Sequence, residues 1–369
     1  MSVSIPYRVG IQQRVLPAYR AAFFDRLAQV CEGGLSVFAG QPRPEEALGQ
    51  PAVLRTAQHV QANNLHLGTG RLYTCVQRNL FEWLGQWNPD VLIVEANPRY
   101  LSTPAAVRWM HARHKPVIGW GLGAPPSRGF WREVLRQRFL CLFDALITYS
   151  QRGAEQYLRL GFSPDRIFVA PNAVTPRLKG NPPEKPPAFT SGQPVLLFVG
   201  RLQARKRVDL LIRACAALAH EVRPRLIVVG EGPERQALEA LAKTTYPDTH
   251  FTGEKRDDEL EPYWHMADLF VLPGTGGLAV QQAMAHALPV MVAEADGTQE
   301  DLVTPENGWR LIPGNLEDLI QRLQEALSQP GRLREMGKAS YQIVAERVNL
   351  DEMVAVFAQA IHSAMRLRG

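Results

Sequence analysis

The chain has 369 residues, too many for one ordinary core and enough for two α/β domains of about 150 residues each. With 46% hydrophobic and 21% charged residues it is neither disordered nor fibrous, and no apolar run approaches the ~18–20 residues that span a bilayer. Its net charge of +5 is uneven, 19 basic against 11 acidic residues through Thr175 and 22 against 25 afterwards. Such a basic first half suits an anionic acceptor or an anionic membrane surface, unless the arginines are simply surface residues.

The opening MSVSIPYRVGIQQR lacks the apolar core of a secretory signal, so a cytoplasmic protein is expected. After a first strand, short apolar runs at Leu35–Ala39, Val91–Val94, Val117–Trp120, Ala145–Tyr149 and Ile167–Ala170 read as buried strands. Helical spacing occupies Tyr19–Val30, Arg71–Trp87 and Pro104–Arg113 between them. Phe23 and Phe24 read as core. Arg128 to Phe143, RGFWREVLRQRFLCLF, interleaves arginine and aromatic residues; a membrane-surface helix and an ordinary helix with snorkelling arginines share that pattern.

From Thr175 to Pro194 six prolines in twenty residues remove backbone donors and favour extended chain, which marks a linker. Domains are therefore expected at 1–174 and 195–349, with 175–194 between them. Beyond the linker, strands at Val195–Val199, Arg225–Val229, Leu269–Leu272 and Pro289–Val292 alternate with helices at Arg207–Ala219, Pro233–Lys243 and Ala279–His286. Asp257 and Asp258 precede a helical segment and read as N-caps. A last helix, about Leu350 to Arg368, has no following strand and is expected to pack back on the first domain. Strand, helix, strand in this order predicts α/β architecture, two Rossmann-like parallel-sheet domains facing across a cleft, with ligands at the carboxyl ends of the strands.

Two segments carry chemistry. In VLLFVGRLQARKRVDLLIRACAAL a strand ends at Gly200, and Arg201 and Lys206 follow before a helix. Two such cations can clamp a diphosphate, although a solvated basic loop containing Arg205 and Arg207 would look the same. In LFVLPGTGGLAVQQAMAHALPVMVAEADG the glycines 274, 276 and 277 turn a strand into a helix, where the backbone can approach an anion and free N–H groups meet it. One sheet would then supply two phosphate-binding elements. The four cysteines, Cys31, Cys75, Cys141 and Cys215, lack C-x-x-C pairing and are expected as reduced, mostly buried thiols. The histidines show no metal spacing, and neither a G-x-S-x-G elbow nor a Walker loop is present.

The ordered blocks VGRLQARKRVDLLIRA, VVGEGPERQALEALA, FTGEKRDDELEPYWHMADLFVLPG and GLAVQQAMAHALPVMV, with ALITYSQRGAEQYLRLGFSPDRIFVAPNAV before the linker, resemble family 4 (group 1) of the glycosyltransferases, retaining enzymes of GT-B type. The resemblance implies that Arg201 and Lys206 hold the diphosphate of a nucleotide sugar. It implies that Gly200, Thr275, Gly276, Gly277 and Leu278 meet phosphates or sugar, and that Gly230, Glu231, Gly253 and Glu254 line the nucleobase pocket. Gly274 and Gln282 stand where relatives carry two glutamates, and Leu122, after Gly121 in VIGWGLGAPP, stands near a usual histidine. The stretch RVGIQQRVLPAYRAAFFDRLAQ resembles the subset that opens with a proline–tyrosine–arginine turn, which would place Gln12, Gln13, Arg14, Tyr19 and Arg20 on the acceptor side.

The implied activity is metal-independent retaining transfer of a hexosyl group from a UDP- or GDP-sugar to an acceptor hydroxyl, in polysaccharide, glycan or glycolipid synthesis. No cofactor beyond the nucleotide-sugar co-substrate, no metal and no nucleic acid is expected. The acceptor would be a glycan, a lipid-linked molecule or a small molecule, with peripheral contact at the inner membrane face. The departures at 122, 274 and 282 leave open a catalytically silent GT-B protein that binds nucleotide or glycan. A sugar-nucleotide epimerase would need paired acid/base carboxylates, and no convincing pair is legible.

Overall fold

The computed structural model describes residues 4–43, 46, 53–125, 129–190, 192–295 and 297–368, without the side chains at 71, 221 and 257. Contacts divide the chain into two units, one running through Val174 and resuming at Leu350, the other spanning Thr175–Asn349.

The first unit contains β1 (Val9–Val15), α1 (Ala21–Val30), β2 (Leu35–Gly40), β3 (Gln58–Ala62), β4 (Asn64–Leu67), β5 (Thr74–Gln77), α2 (Leu80–Trp87), β6 (Val91–Glu95), α3 (Thr103–His111), β7 (Val117–Gly121), α4 (Phe130–Leu140), β8 (Ala145–Thr148), α5 (Gln151–Arg159) and β9 (Ile167–Val169). Its main sheet is parallel in the order β3-β2-β1-β6-β7-β8-β9. Strand order reverses at β1, where Val9 pairs Leu35 on one side and Val91 on the other. Central strands are covered on both faces, so β2, β6 and β8 are near-continuous apolar runs.

One helix expected from spacing is shorter. Across Arg71–Trp87 the chain instead forms a 3₁₀ turn at Gly70–Leu72, then β5, and becomes helical only at Leu80. β5 pairs antiparallel with β4, Asn64 opposite Gln77 and His66 opposite Cys75. Asn79 then fixes the exit, its Oδ1 accepting the Asn63 N–H at 2.7 Å and its Nδ2 donating to the Gln61 carbonyl at 2.9 Å. Cross-strand pairing outweighs the helical spacing of Leu72, Cys75 and Val76.

The second unit contains β10 (Val195–Val199), α6 (Val208–Ala217), β11 (Arg225–Val229), α7 (Arg235–Thr245), β12 (Thr249–Gly253), α8 (Glu261–Met266), β13 (Leu269–Leu272), α9 (Leu278–Ala285), β14 (Val290–Ala293), α10 (Thr298–Leu302), β15 (Gly308–Leu311), α11 (Leu316–Leu327) and α12 (Pro330–Glu346). Its sheet is parallel in the order β12-β11-β10-β13-β14-β15, the doubly wound order that reverses between β10 and β13. The expected N-cap at Asp258 is not one, because the residue lies inside a 3₁₀ turn whose N-cap is Arg256. Glu259 performs the capping, its carboxylate accepting the Arg256 N–H at 3.3 Å.

Residues 175–190 form neither helix nor strand, and their proline-rich chain is tied down by side chains. Lys185 donates to the Trp264, His265 and Ala267 carbonyls at 2.5, 3.2 and 3.3 Å. Arg334 donates to the Pro186 carbonyl at 2.8 Å while pairing with buried Asp268 at 2.6 Å. After α12 the chain returns to the first unit as α13 (Leu350–Arg368), which packs on α1, β7, β8 and β9. Met353, Phe357, Ala360, Ile361 and Ala364 form its buried stripe, and Phe357 meets Phe23 and Trp120 at 4.8 and 4.9 Å between ring centres. Phe23 and Phe24 are fully buried core residues. Cys31, Cys75 and Cys215 are buried free thiols, and Cys141 is exposed.

Candidate active site

At the switch point of the second unit, the loops after β10 and β13 are locked together. The Thr275 N–H donates to the Arg205 carbonyl at 3.0 Å, and Arg205 Nη1 donates to Thr275 Oγ1 at 3.1 Å. Gly274 is buried at this contact, and a Cβ there would lie 2.2 Å from the Arg205 carbonyl oxygen and 2.6 Å from the Lys206 Cα. The glutamate that relatives would carry at 274 therefore has no room here. A Cβ on Gly276 would stand 2.1 Å from Lys206 Nζ, so the ammonium lies directly over the glycine loop. Gly276 has φ +148°, a conformation in which an L side chain is disfavoured.

Lys206 sits in this loop without a compensating anion, since among the described residues no carboxylate lies within ion-pair distance of it. Burial, and then the neighbouring Arg205, lower its pKa to about 8. A desolvated cation over a backbone that ends in a helix start suits an anion in both respects. α9 begins at Leu278 behind Gly277, so its first N–H groups lack intrahelical partners. Behind the loop, buried Gln299 on α10 donates to the Gly276 carbonyl at 3.2 Å and accepts the Ala295 N–H at 3.2 Å, fixing the turn. Sequence reading missed Gln299; its available signal was an amide just after a third strand-to-helix turn at Gly297.

The other residues expected on the donor side follow the ends of β10, β11 and β12. A Cβ on Gly230 would lie 2.0 Å from the Gly200 carbonyl oxygen, and one on Gly232 2.2 Å from that of Leu202, so glycine lets these turns stack. Arg201 is exposed directly after Gly200. Glu231 pairs with Arg235 beside Gly253, while Glu254 is paired with Arg256 at 2.7 Å. The Gln282 side chain is exposed on α9, and no hydrogen bond ties it to the glycine loop among the described residues. Among those residues no group of three or more His, Cys, Asp and Glu side chains is disposed to hold a metal ion.

The first unit has its own switch point, between β1 and β6. Gln13 is buried in β1, and its carbonyl accepts from Gln77 Nε2 at 3.0 Å; Gln12 Nε2 donates to Gln77 Oε1 at 2.8 Å. Arg14, still in β1, has its guanidinium bound to Glu46 at 2.7 Å and reaching the Tyr73 hydroxyl at 3.5 Å. Arg20 is buried, donates to the Tyr149 hydroxyl at 2.7 Å, and lies over the rings of Trp120, Tyr149 and Tyr19 at 4.4, 5.3 and 5.3 Å. Tyr19 is exposed. Gly121 ends β7 against Ala96 and the Tyr157 hydroxyl, and Leu122 is exposed. Glu95, which ends β6, was missed by sequence reading although a carboxylate closing an apolar parallel strand is itself a signal. Its Oε2 accepts the Arg14 N–H at 2.6 Å. Burial raises its pKa to about 6 against the opposing pull of that hydrogen bond and of the Arg14 and Arg20 charges.

Residues 183–343 match the family model described as Glycosyl transferases group 1, and residues 9–173 match that of the Glycosyl transferase 4-like domain. The sulfoquinovosyl transferase SQD2 of Arabidopsis thaliana is 33% identical over 44% of this chain and 31% of its own length. A GDP-mannose-dependent alpha-mannosyltransferase of Mycobacterium tuberculosis is 36% identical over 37% of this chain and 34% of its own. The chain thus spans about a third of the length of these two relatives. By contrast, the GDP-mannose-dependent alpha-(1-6)-phosphatidylinositol monomannoside mannosyltransferase of the same organism is 24% identical across 96% of this chain and 94% of its own. Among solved structures, sucrose-phosphate synthase from Thermosynechococcus elongatus superposes with a TM-score of 0.72 at 18% identity, covering 97% and 99% of the two chains. Anabaena Alr3699/HepE in complex with UDP superposes at 0.70 with 14% identity, covering 96% and 99%. These two likenesses establish the shared fold.

Proposed function

The chain belongs to the group 1 glycosyltransferases, and on that premise we propose that it moves a hexosyl group from a nucleoside diphosphate sugar to an acceptor hydroxyl with retention of configuration. The observation that carries this reading is the Lys206 ammonium lying over Gly276 with no carboxylate partner among the described residues, at the switch point of a doubly wound sheet. In this reading Lys206 and Arg201 take the diphosphate, and the backbone from Gly276 to Leu278 binds phosphate or sugar oxygens. The bond from the anomeric carbon to the phosphate oxygen breaks as the acceptor oxygen attacks from the same face. The acceptor proton passes to the departing phosphate oxygen, so no protein nucleophile is required, in keeping with a glycine at 274. The loops at Gly230–Glu231 and Gly253–Glu254 would receive the base. Uracil and guanine are the bases the relatives and neighbours suggest, since HepE is solved with UDP and the mannosyltransferases are GDP-mannose-dependent. No metal or further cofactor enters this scheme.

Acceptor contacts fall to the first unit in this reading, at Gln13, Arg14, Tyr19, Arg20, Gly121 and Leu122. α4 adds an apolar surface, with Phe130 and Trp131 about three-quarters exposed and Leu135 also exposed; Arg128, which opened the basic–aromatic stretch, lies outside the described residues. Among those residues no helix is long and apolar enough to cross a membrane. Peripheral contact of α4 with an anionic leaflet at the cytoplasmic side is the localisation this surface supports.

Titration calorimetry with UDP, GDP, dTDP and their common sugar conjugates tests the donor assignment. Selective binding of one base is expected, lowered about tenfold or more in Arg201→Ala, as for loss of a charged hydrogen bond. Equal binding by the folded variant would remove Arg201 from the site. One observation favours a second reading, a catalytically silent nucleotide- or glycan-binding protein: the backbone at 205–206 fills the space where a carboxylate at 274 would project. Nucleotide-sugar binding without hydrolysis or transfer to any of a broad acceptor panel would decide for it.

A further inference from the structure

The carboxyl edge of the first unit's sheet is rich in arginine, yet its cations are already engaged. Arg14 is bound to Glu46 and Tyr73; burial is the largest single influence and opposes its charge, but the Glu46 hydrogen bond together with the Tyr100, Tyr73 and Glu46 charges outweighs it, so its pKa is raised. Arg20 is stacked among three rings and bonded to Tyr149; its Nη1 has no partner but is sealed from solvent. Between them stands Glu95. Oε2 is fixed by the Arg14 amide, neither guanidinium forms an ion pair with it, and Oε1 has no hydrogen-bond partner among the described residues. Oε1 is not sealed from solvent, so at this switch point it is open to a ligand hydroxyl, on a carboxyl whose charge burial already disfavours.

Polar side chains continue along the same edge. Asn64 Nδ2 donates to the Arg14 carbonyl at 2.7 Å, and His66 meets the Tyr73 hydroxyl at 2.9 Å and the Gln41 carbonyl at 3.2 Å. Beyond them a cavity of about 370 Å³ at the ends of β2 and β3 is lined by Gln41, Gln61, Asn63, Asn64 and His66, among others. The amides of Gln41, Gln61, Asn63 and Asn64 present paired donors and acceptors without net charge, which matches a polyhydroxyl surface rather than a phosphate.

We propose that this edge reads the hydroxyls of a neutral sugar or polyol acceptor, with Glu95 Oε1 accepting a hydrogen bond from one hydroxyl and the Gln41–Gln61–His66 cavity holding the adjoining ring. The proposal rests on the acceptor-side reading of the first unit and gives it a substrate class. It replaces the anionic acceptor that the basic composition suggests. Around Glu95 the charged and titratable groups are Arg14 from β1, Arg20 from the turn before α1, Cys75 from β5, Tyr100 after β6 and Tyr149 after β8. Cys75, Tyr100 and Tyr149 all have raised pKa values, burial being the first cause, and stay neutral near pH 7. Glu95 is the carboxylate of this cluster that changes charge near pH 6; because the cavity also holds the titratable His66 imidazole, the pH profile is read in a His66→Gln background as well.

The test is saturation-transfer NMR on the full chain with methyl glycosides of common hexoses and myo-inositol, against inorganic phosphate and glucose 6-phosphate. It is run on wild type, Glu95→Gln and Gln61→Ala. Binding of at least one neutral probe is expected, weakening below about pH 6 as the carboxylate protonates. Glu95→Gln should lose about tenfold and the pH dependence together, whereas Gln61→Ala, at an exposed site, should weaken binding with the pH dependence intact. A merely structural role would leave the pH profile unchanged. The proposal is overturned if no neutral probe binds, if phosphate competes for the site, or if folded Glu95→Gln binds as wild type does. Nucleotide titration of the same samples reports the donor reading separately, so either can fail alone.

Discussion

Lys206 and Glu95 are the two residues whose surroundings most oppose their charge at a strand end, and each opposition has a sign that can be measured. Free Lys206 has its pKa lowered to about 8, below the ~10.4 of an unfolded lysine. Its charged form therefore costs the fold stability below pH 8, and the cost fades as pH rises toward the unfolded value. A diphosphate beside it restores the ammonium, so nucleotide binding at about pH 9 should take up a proton, and affinity should fall as pH rises through 8. Calorimetry in two buffers of different ionisation enthalpy would show the uptake, absent near pH 6.5. Its persistence in Lys206→Met would place the proton elsewhere. Gly274 shows a different residue-scale constraint: the neighbouring loop backbone occupies the volume a side chain would need. The departure from the family's glutamate thus belongs to a packed arrangement of two loops.

At the scale of elements, α4 and α13 show what spacing means once neighbours are known. Both have an apolar stripe. In α13 it is covered, with Phe357 held between Phe23 and Trp120. In α4 only Phe139 and Leu140 are buried, and Phe130, Trp131 and Leu135 face outward. Burying such side chains is worth about 1.5–3 kcal/mol each at full transfer, and each nearby arginine adds about 1 kcal/mol at an anionic surface. Sedimentation with phosphatidylglycerol vesicles should therefore retain the protein, and phosphatidylcholine vesicles should retain it much less. A paired Phe130→Ser, Trp131→Ser variant should lose most of the binding. If wild-type protein ignores both kinds of vesicle, α4 has another use.

For the whole molecule, each unit carries its own parallel sheet and core, so ligand effects can be assigned by region. A nucleoside diphosphate at a hundred times its Kd would add about 2.7 kcal/mol to the stability of the unit that binds it. Hydrogen exchange should then slow at Gly276, Gly277 and Leu278 and in the loop from Gly200 to Arg207, and protection gained only outside 195–349 would count against the donor site. The sequence by itself determined the central strands of the two parallel sheets and several of their helices, because buried parallel strands require unbroken apolar runs such as Leu269–Leu272, and these are local signals; the edge strands β3, β12 and β15, the β4–β5 pair and helices such as α11 and α12 were not read. It also exposed the glycine-rich turn and the Arg201/Lys206 loop, since backbone approach and charge leave marks in residue type. Only the tertiary structure decided that Arg205 and Lys206 lie on Gly274, that Gln299 braces Gly276, and that Glu95 stands beside Arg14 with one oxygen unused. Strand order brings those residues together across dozens of positions, and no periodicity records which loops will touch. The same cause turned Arg71–Trp87 from one helix into a strand and a shorter helix, because the pairing partner of β5 lies in β4.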